Sequence, residues 1–394
     1  MHPRNGLLQL LLTTAAIAKS PGLTEPGSHD NSAECNCYLV SGVAPGYFQY
    51  YRYWDFRNIS NDGTNDYTTA PPVVDKSQNQ GGQNVTSAYF NTDQWNNDWS
   101  IQNAVLEPNA SVPTANSAQN VYITRNASDP NNMTFLTLRA YRFPDWSSIS
   151  EVDSNQKNVF HSSIRARMRV IPNYNYTIPG VNSSHPAAPG ACVGLFTYRS
   201  DTQESDIEIL TSDPIGHARY SNQPDFDPKT GDTVPGASTD APFPSGIVWT
   251  DWHDHRIDWF DGVSRWYVDG VLAVEKTLNV PTKPSGLVYN LWSDGGQWTG
   301  NMSIGANVTF GIQWIEASFN TSGSNPSYKR HAPATCNVGC SIDNVQTVGF
   351  PQVDFNNTVA AAGVRSSKMT GSAVIEALVL LWLAMFFGKA LVGI

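Results

Sequence analysis

Between about residue 120 and residue 320, short apolar-rich runs follow one another as strand signals, the clearest of them alternating apolar and polar positions with a period of two. The runs are 120–124, 134–140, 162–171, 192–198, 204–210, 253–259, 264–268, 287–292 and 310–319; in the third, Arg165, Arg167 and Arg169 take alternate positions. Spacers rich in Pro and Gly, such as 172–190, separate them. Asp261-Gly262 and Asp269-Gly270 make a hairpin of 253–268. No long stretch before the C-terminal end has helical periodicity. Short strands with irregular loops predict an all-β sandwich.

One run departs from apolar-in, neutral-out. In Glu204-Ser205-Asp206-Ile207-Glu208-Ile209-Leu210, the three acids fall on one face while Ser205, Ile207 and Ile209 fall on the other. Like charges crowded on a strand raise the pKa of at least one of them. Two carboxyls of different protonation are what glycoside hydrolysis needs: one gives a proton to the leaving group, and one attacks the anomeric carbon or activates water. Glu204 and Glu208 are the candidates, with Asp206 between them to tune and orient. Their Cα atoms should be about 13 Å apart, so the side chains must lean together to reach the ~5–5.5 Å of a retaining enzyme.

Composition narrows the partners. The 394 residues carry 24 basic against 34 acidic side chains, which argues against nucleic acid. Twelve Trp suit stacking on sugar rings as well as core packing. At the start, His2 and Arg4 precede an apolar run from Leu7 to Ala18 that ends in Ala16-Ile17-Ala18, so residues 1–18 read as a secretory signal. Sequons at Asn58, Asn84, Asn109, Asn126, Asn132, Asn175, Asn182, Asn301, Asn307, Asn320 and Asn356 fit a secreted glycoprotein.

The cysteines number five, and an oxidising compartment favours pairing. Cys35 and Cys37 precede the sandwich while Cys336 and Cys340 follow it, so the first pair is expected to bond to the second. Cys192, on an apolar strand, is expected to stay free. His253 and His255, at i and i+2, have no evident third ligand and read as structural. No metal or cofactor is called for.

The C-terminal end is apolar from Ala377 to Gly388, broken by Lys389. That is short for a spanning helix, which needs about 20 residues. Small residues, a polar spacer and a hydrophobic tail match the signal for a glycosylphosphatidylinositol anchor, with Ala361, Ala362 or Ser366 as the attachment residue. A single-pass helix, lengthened by Ala373 to Glu376 and Lys389 to Ile394, is the alternative.

The acidic strand, then His253 to Trp259 leading into Trp266-Tyr267-Val268-Asp269-Gly270, then Asn290-Leu291-Trp292, resembles in order and spacing the family 16 glycoside hydrolases. The resemblance implies a concanavalin A-like β-jelly-roll over 47–320 and a retaining enzyme acting on β-glucan-type polymer. It makes Glu204 the nucleophile, Glu208 the acid/base and Asp206 the residue that tunes the nucleophile. It also implies cleft positions for Phe196, Tyr198, Asn290, Trp292 and Trp298. One residue between successive acids matches the family's regular-strand form rather than its bulged form. Lichenases place a Trp two residues ahead of the nucleophile, whereas this chain has Thr202, which departs from their specificity. Around the catalytic domain the expectation is a mobile lead-in over 19–46, a Cys-containing extension over 321–362 and an anchor propeptide or membrane tail over 363–394. The whole reads as a monomeric, lipid-anchored fungal cell-wall enzyme. Hydrolysis, transglycosylation and non-catalytic glycan binding stay open at this stage.

Overall fold

A computed structural model of the chain describes residues 27–30, 35–60, 66–73, 86–106, 110–125, 133–173, 176–177, 184–227, 229–244, 246–323 and 336–357. The expected signal sequence, the apolar tail and the sequons at Asn84, Asn109, Asn126, Asn132, Asn175 and Asn182 lie outside the described residues. The principal strands, in chain order, are β1 (Tyr50–Asp55), β2 (Thr134–Arg142), β3 (Ser147–Ser154), β4 (Val159–Val170), β5 (Cys192–Ser200), β6 (Gln203–Leu210), β7 (His217–Asn222), β8 (Ser238–Pro242), β9 (His253–Phe260), β10 (Val263–Val268), β11 (Val271–Lys276), β12 (Gly286–Trp292) and β13 (Asn307–Thr321).

These strands form two antiparallel layers. The front sheet runs Trp99–Ile101, β3, β12, β5, β6, β7, β8. The back sheet runs β1, β13, β4, β9, β10, β11, and β2 shares with β1 the outer edge of the long strand β13. Strand β3 passes from one layer to the other: Ser147 and Ser148 pair with β2, while Ser150 to Asp153 pair with β12. The result is the expected all-β sandwich of jelly-roll kind.

The core between the layers explains why the alternating runs fold as they do. Trp249, Trp259, Trp266 and Tyr289 are fully enclosed, and burial of each ring is worth about 4–6 kcal/mol in transfer free energy. The Trp259 indole N–H donates to the Pro281 carbonyl at 2.8 Å, so its one polar group is satisfied. Most tryptophans are spent this way. Among the described residues only Trp252, Trp292 and Trp298 are partly exposed.

The alternating arginines of β4 lie on the outer side of the back sheet. Arg165 is paired with Glu316 at 3.2 Å and Asp343 at 2.7 Å, and Arg167 with Asp254 at 2.7 Å. His255 is buried against Phe243, and burial with the neighbouring His253 pushes its pKa down to about 3. His253 is bonded through Nδ1 to Asp269 at 2.7 Å.

A small second sheet covers the back layer. It joins Gly46–Phe48, Cys37–Val40, Val338–Ser341 and Gln352–Asn356. Disulfides Cys35–Cys340 and Cys37–Cys336 staple its two chain ends, and Cys192 is free and buried. Tyr38 stacks on Tyr51 at 5.1 Å and Phe48 on Phe260 at 5.6 Å, which seats this sheet on the sandwich. Part of the expected lead-in is therefore strand: Cys37–Val40 falls within 19–46 and is held by pairing and stacking, which its polar, Pro- and Gly-bearing surroundings do not foretell, and by the two expected covalent links.

Candidate active site

Strand β6 carries the acids because its other face is anchored. Ile207 and Ile209 are fully buried in the core, and the Ser205 hydroxyl reaches Asn222 Oδ1 at 2.7 Å and Ser264 Oγ of the back sheet at 3.3 Å. Glu204, Asp206 and Glu208 are thereby turned to the outer face of the front sheet. Register with β5 is unbroken from Leu210 to Glu204, the regular-strand form of the motif.

The three carboxyls stand in distinct surroundings. Asp206 is 2% exposed and accepts from Gln223 Nε2 at 3.1 Å. It is hydrogen-bonded to Glu204, and burial followed by the charges of Glu204 and Glu208 raises its pKa well above the carboxylate range. A bond between two carboxyls requires a proton, and burial favours the protonated form of Asp206. Glu208 uses one oxygen: Oε1 accepts from the Trp298 indole at 3.0 Å and from the Cys192 thiol at 3.3 Å. Burial pushes Glu204 up to about 8 and Glu208 up to about 7, and the donors on each oppose that rise. Glu204 lies beside Asp206, whereas both donors to Glu208 go to Oε1 and none to Oε2.

Cross-strand register places the other expected cleft residues on the same face. Tyr198 lies opposite Glu204 and Phe196 opposite Asp206; their rings meet edge to face at 6.2 Å. Tyr198 is 39% exposed and donates to Asp201 Oδ1 at 2.9 Å. Asn290 lies across Gly194 from Glu208, and Trp292 follows two residues on, opposite Cys192. Trp298 comes closest to the acids, because its indole is on Glu208 itself.

Several participants were not legible in the sequence. Gln223, beyond the end of β7, orients Asp206. Arg219 faces Glu208 in register and is held by Asp213. Glu151 lies beside Asn290, which donates to it, and burial raises its pKa to about 7. Gly194 keeps the floor open: a Cβ there would meet Asn290 Oδ1 at 2.5 Å. A Gly two positions before Phe196 in an otherwise regular strand was the one available signal.

Over 158 residues the chain is 29% identical to a beta-glucanase of Paenibacillus polymyxa, covering 38% of this chain and 61% of that one. Over 71 residues it is 37% identical to a beta-glucanase of Paenibacillus macerans, covering 17% and 30%. A solved Bacillus licheniformis beta-glucanase aligns at 18% identity with a TM-score of 0.43, over 57% of this chain and 93% of that one. No protein-family model matches. Fold and site define a β-sandwich with three carboxyls on one face of a strand. The family 16 glycoside hydrolase resemblance read from the motifs is borne out by these beta-glucanase relatives, of which the chain spans 61% of the first by length.

Proposed function

We propose that this chain is a retaining glycosidase that cleaves internal bonds of β-1,3/1,4-glucan. The observation that carries the reading is the arrangement on β6: a buried Asp206 beside Glu204, its pKa raised first by burial, and a Glu208 tethered by one oxygen only. In the first step the Glu204 carboxylate attacks the anomeric carbon as the glycosidic C–O bond breaks, and Glu208 gives its proton to the departing oxygen. In the second, an acceptor hydroxyl gives its proton to Glu208 and displaces Glu204 from the sugar. Asp206 keeps its hydrogen bond to Glu204 throughout, which spreads the charge that reappears when the glycosyl-enzyme breaks down.

The acceptor is water in hydrolysis and a sugar hydroxyl in transfer. Product analysis of the recombinant domain on defined β-1,3-, β-1,4- and mixed-linkage glucans tests the activity, and proton NMR of the first-formed sugar tests the stereochemistry. The β-anomer should appear first; an α-anomer would end the double-displacement account. Labelled oligosaccharide acceptor should enter polymer if transfer occurs, and only free reducing sugar would leave hydrolysis alone.

We further propose, from the N- and C-terminal sequence signals, that the enzyme is exported to a fungal cell surface and held there by a glycosylphosphatidylinositol anchor. Phosphatidylinositol-specific phospholipase C should release it from membranes. A membrane-bound form that resists this enzyme and retains a peptide ending at Ile394 would show the tail to be a membrane helix instead.

A further inference from the structure

We propose that Cys192 and Trp298 are positioning residues for Glu208: both donate to its Oε1, which leaves Oε2 as the oxygen that carries and delivers the proton. The inference rests on the reading of Glu208 as acid/base and adds to it how that group is aimed. Cys192 opens β5 and is wholly enclosed, paired in register with Leu210 on one side and Trp292 on the other. Its sulfur is 3.3 Å from Glu208 Oε1 and 3.8 Å from the carbonyl oxygen of Val193. The nearer acceptor is also the one that can carry charge, so the thiol proton points to Glu208. A buried free Cys ordinarily acts as a small apolar filler; here its one polar proton has a catalytic-strand acceptor.

Trp298 is fixed from its other face. The Arg219 guanidinium lies 4.6 Å from the indole centroid, and Asp213 holds Arg219 with two bonds of 2.8 and 2.9 Å. A cation over the ring restrains the plane of the indole and so the direction of its N–H. Asp213, Arg219 and Trp298 thus form a brace that ends on the same oxygen as the thiol. The charged groups facing Glu208 are Glu204 and Asp206 on its own strand, Arg219 on β7 and Asp225 beyond it. None of these donates to Oε2.

Donors to a carboxylate favour its charged form, so removal of one should make Glu208 hold its proton to higher pH. The test compares wild type, Cys192→Val, which keeps the volume without the donor, and Cys192→Ser, which keeps a donor. Carbon-13 NMR of Glu carboxyls follows Glu208 directly, its resonance assigned by loss in Glu208→Gln. The expected Glu208 midpoint rises by roughly 0.5–1 pH unit in Cys192→Val and returns to or below the wild-type value in Cys192→Ser. The upper limb of the pH–rate profile should move with it, and kcat on polymer should fall ~3–10-fold with little change in KM. An activated aryl glycoside, whose leaving group needs no proton, should be cleaved at a nearly unchanged rate. A filler role would lower both rates alike and leave the limb in place.

Trp298→Phe, which keeps the ring over Arg219 but loses the N–H, should shift the midpoint in the same direction and supplies the answer if Cys192→Val does not fold. Absence of turnover on every glucan would sink the glycosidase reading while the NMR midpoints still decide the tether. Equal midpoints in wild type, Cys192→Val and Trp298→Phe would overturn it.

Discussion

Asp206 is hydrogen-bonded to Glu204 across one intervening residue, inside a setting so enclosed that only 2% of Asp206 meets solvent. Two carboxyls in contact hold a proton between them, and burial assigns it to Asp206. Asp206→Asn retains an N–H toward Glu204 and should slow both chemical steps without stopping them. Asp206→Leu loses the donor and should cost about 10–100-fold more in kcat/KM, the worth of one hydrogen bond to a charged group. Steady-state rates on soluble mixed-linkage glucan decide this; equal loss in the two variants would deny the hydrogen bond a role.

The different duties of Glu204 and Glu208 separate under azide. Glu204→Ala should abolish turnover of glycan, and azide should restore part of it on an activated glycoside with inverted configuration, since the anion occupies the space of the nucleophile. Glu208→Ala should lose about 10²–10⁴-fold on polymer yet form the covalent intermediate from activated substrates, and azide should then give product of retained configuration. Swapped stereochemical outcomes would exchange the two assignments.

Burial of Asp206 has a cost that depends on pH. Its folded-state pKa is raised well above 3.8, first by burial. Below about pH 3.8 both folded and unfolded chains hold the proton, and the site costs no pH-dependent stability. As pH rises from there the unfolded chain ionises while the folded one keeps its proton, so stability is lost above that value. Asp206→Asn removes the titration. Between about pH 4 and pH 8.5 its melting temperature should fall less than that of wild type by several degrees, given ~2–4 °C per kcal/mol in a domain of this size. A difference that stays constant with pH would contradict the raised pKa.

Gly194 separates Glu208 from Asn290 across the sheet. An added Cβ would stand 2.5 Å from Asn290 Oδ1 and 3.0 Å from the Phe196 ring. Gly194→Ala should displace Asn290 from Glu151 and cost about 1–3 kcal/mol of stability, with binding of glucan weakened more than the chemical step. Thermal melts and separate kcat and KM values check it; an unchanged KM would remove Asn290 from the binding surface.

Peptide mapping without reduction should find Cys35 joined to Cys340 and Cys37 to Cys336, and Cys192 should take an alkylating reagent only after unfolding. Replacing all four paired cysteines by Ser should lower stability by at least 2–5 kcal/mol, because each bridge closes a loop of about 300 residues. Any crosslink to Cys192 would contradict the arrangement.

The sequence by itself determined what repeats locally. Alternation every second residue placed Ile207 and Ile209 in the core and Glu204, Asp206 and Glu208 outside it, since a strand's two faces follow from backbone geometry alone. The same rule placed Phe196 and Tyr198 on one face of β5 and Asn290 and Trp292 on one face of β12. The pairing of cysteines before the sandwich with cysteines after it also followed from position in the chain. Tertiary structure decided what each acid touches. Gln223 on Asp206, Trp298 and Cys192 on Glu208, and Glu151 beside Asn290 are contacts between strands or loops remote in sequence, set by sheet order and register. Sheet order depends on how whole faces pack against each other, which short-range periodicity does not encode. The same limit hid the strand at Cys37–Val40: its partners lie at Gly46–Phe48 and Val338–Ser341, and although Cys35 and Cys37 point to the far end of the chain, no feature of residues 19–46 specifies strand pairing there.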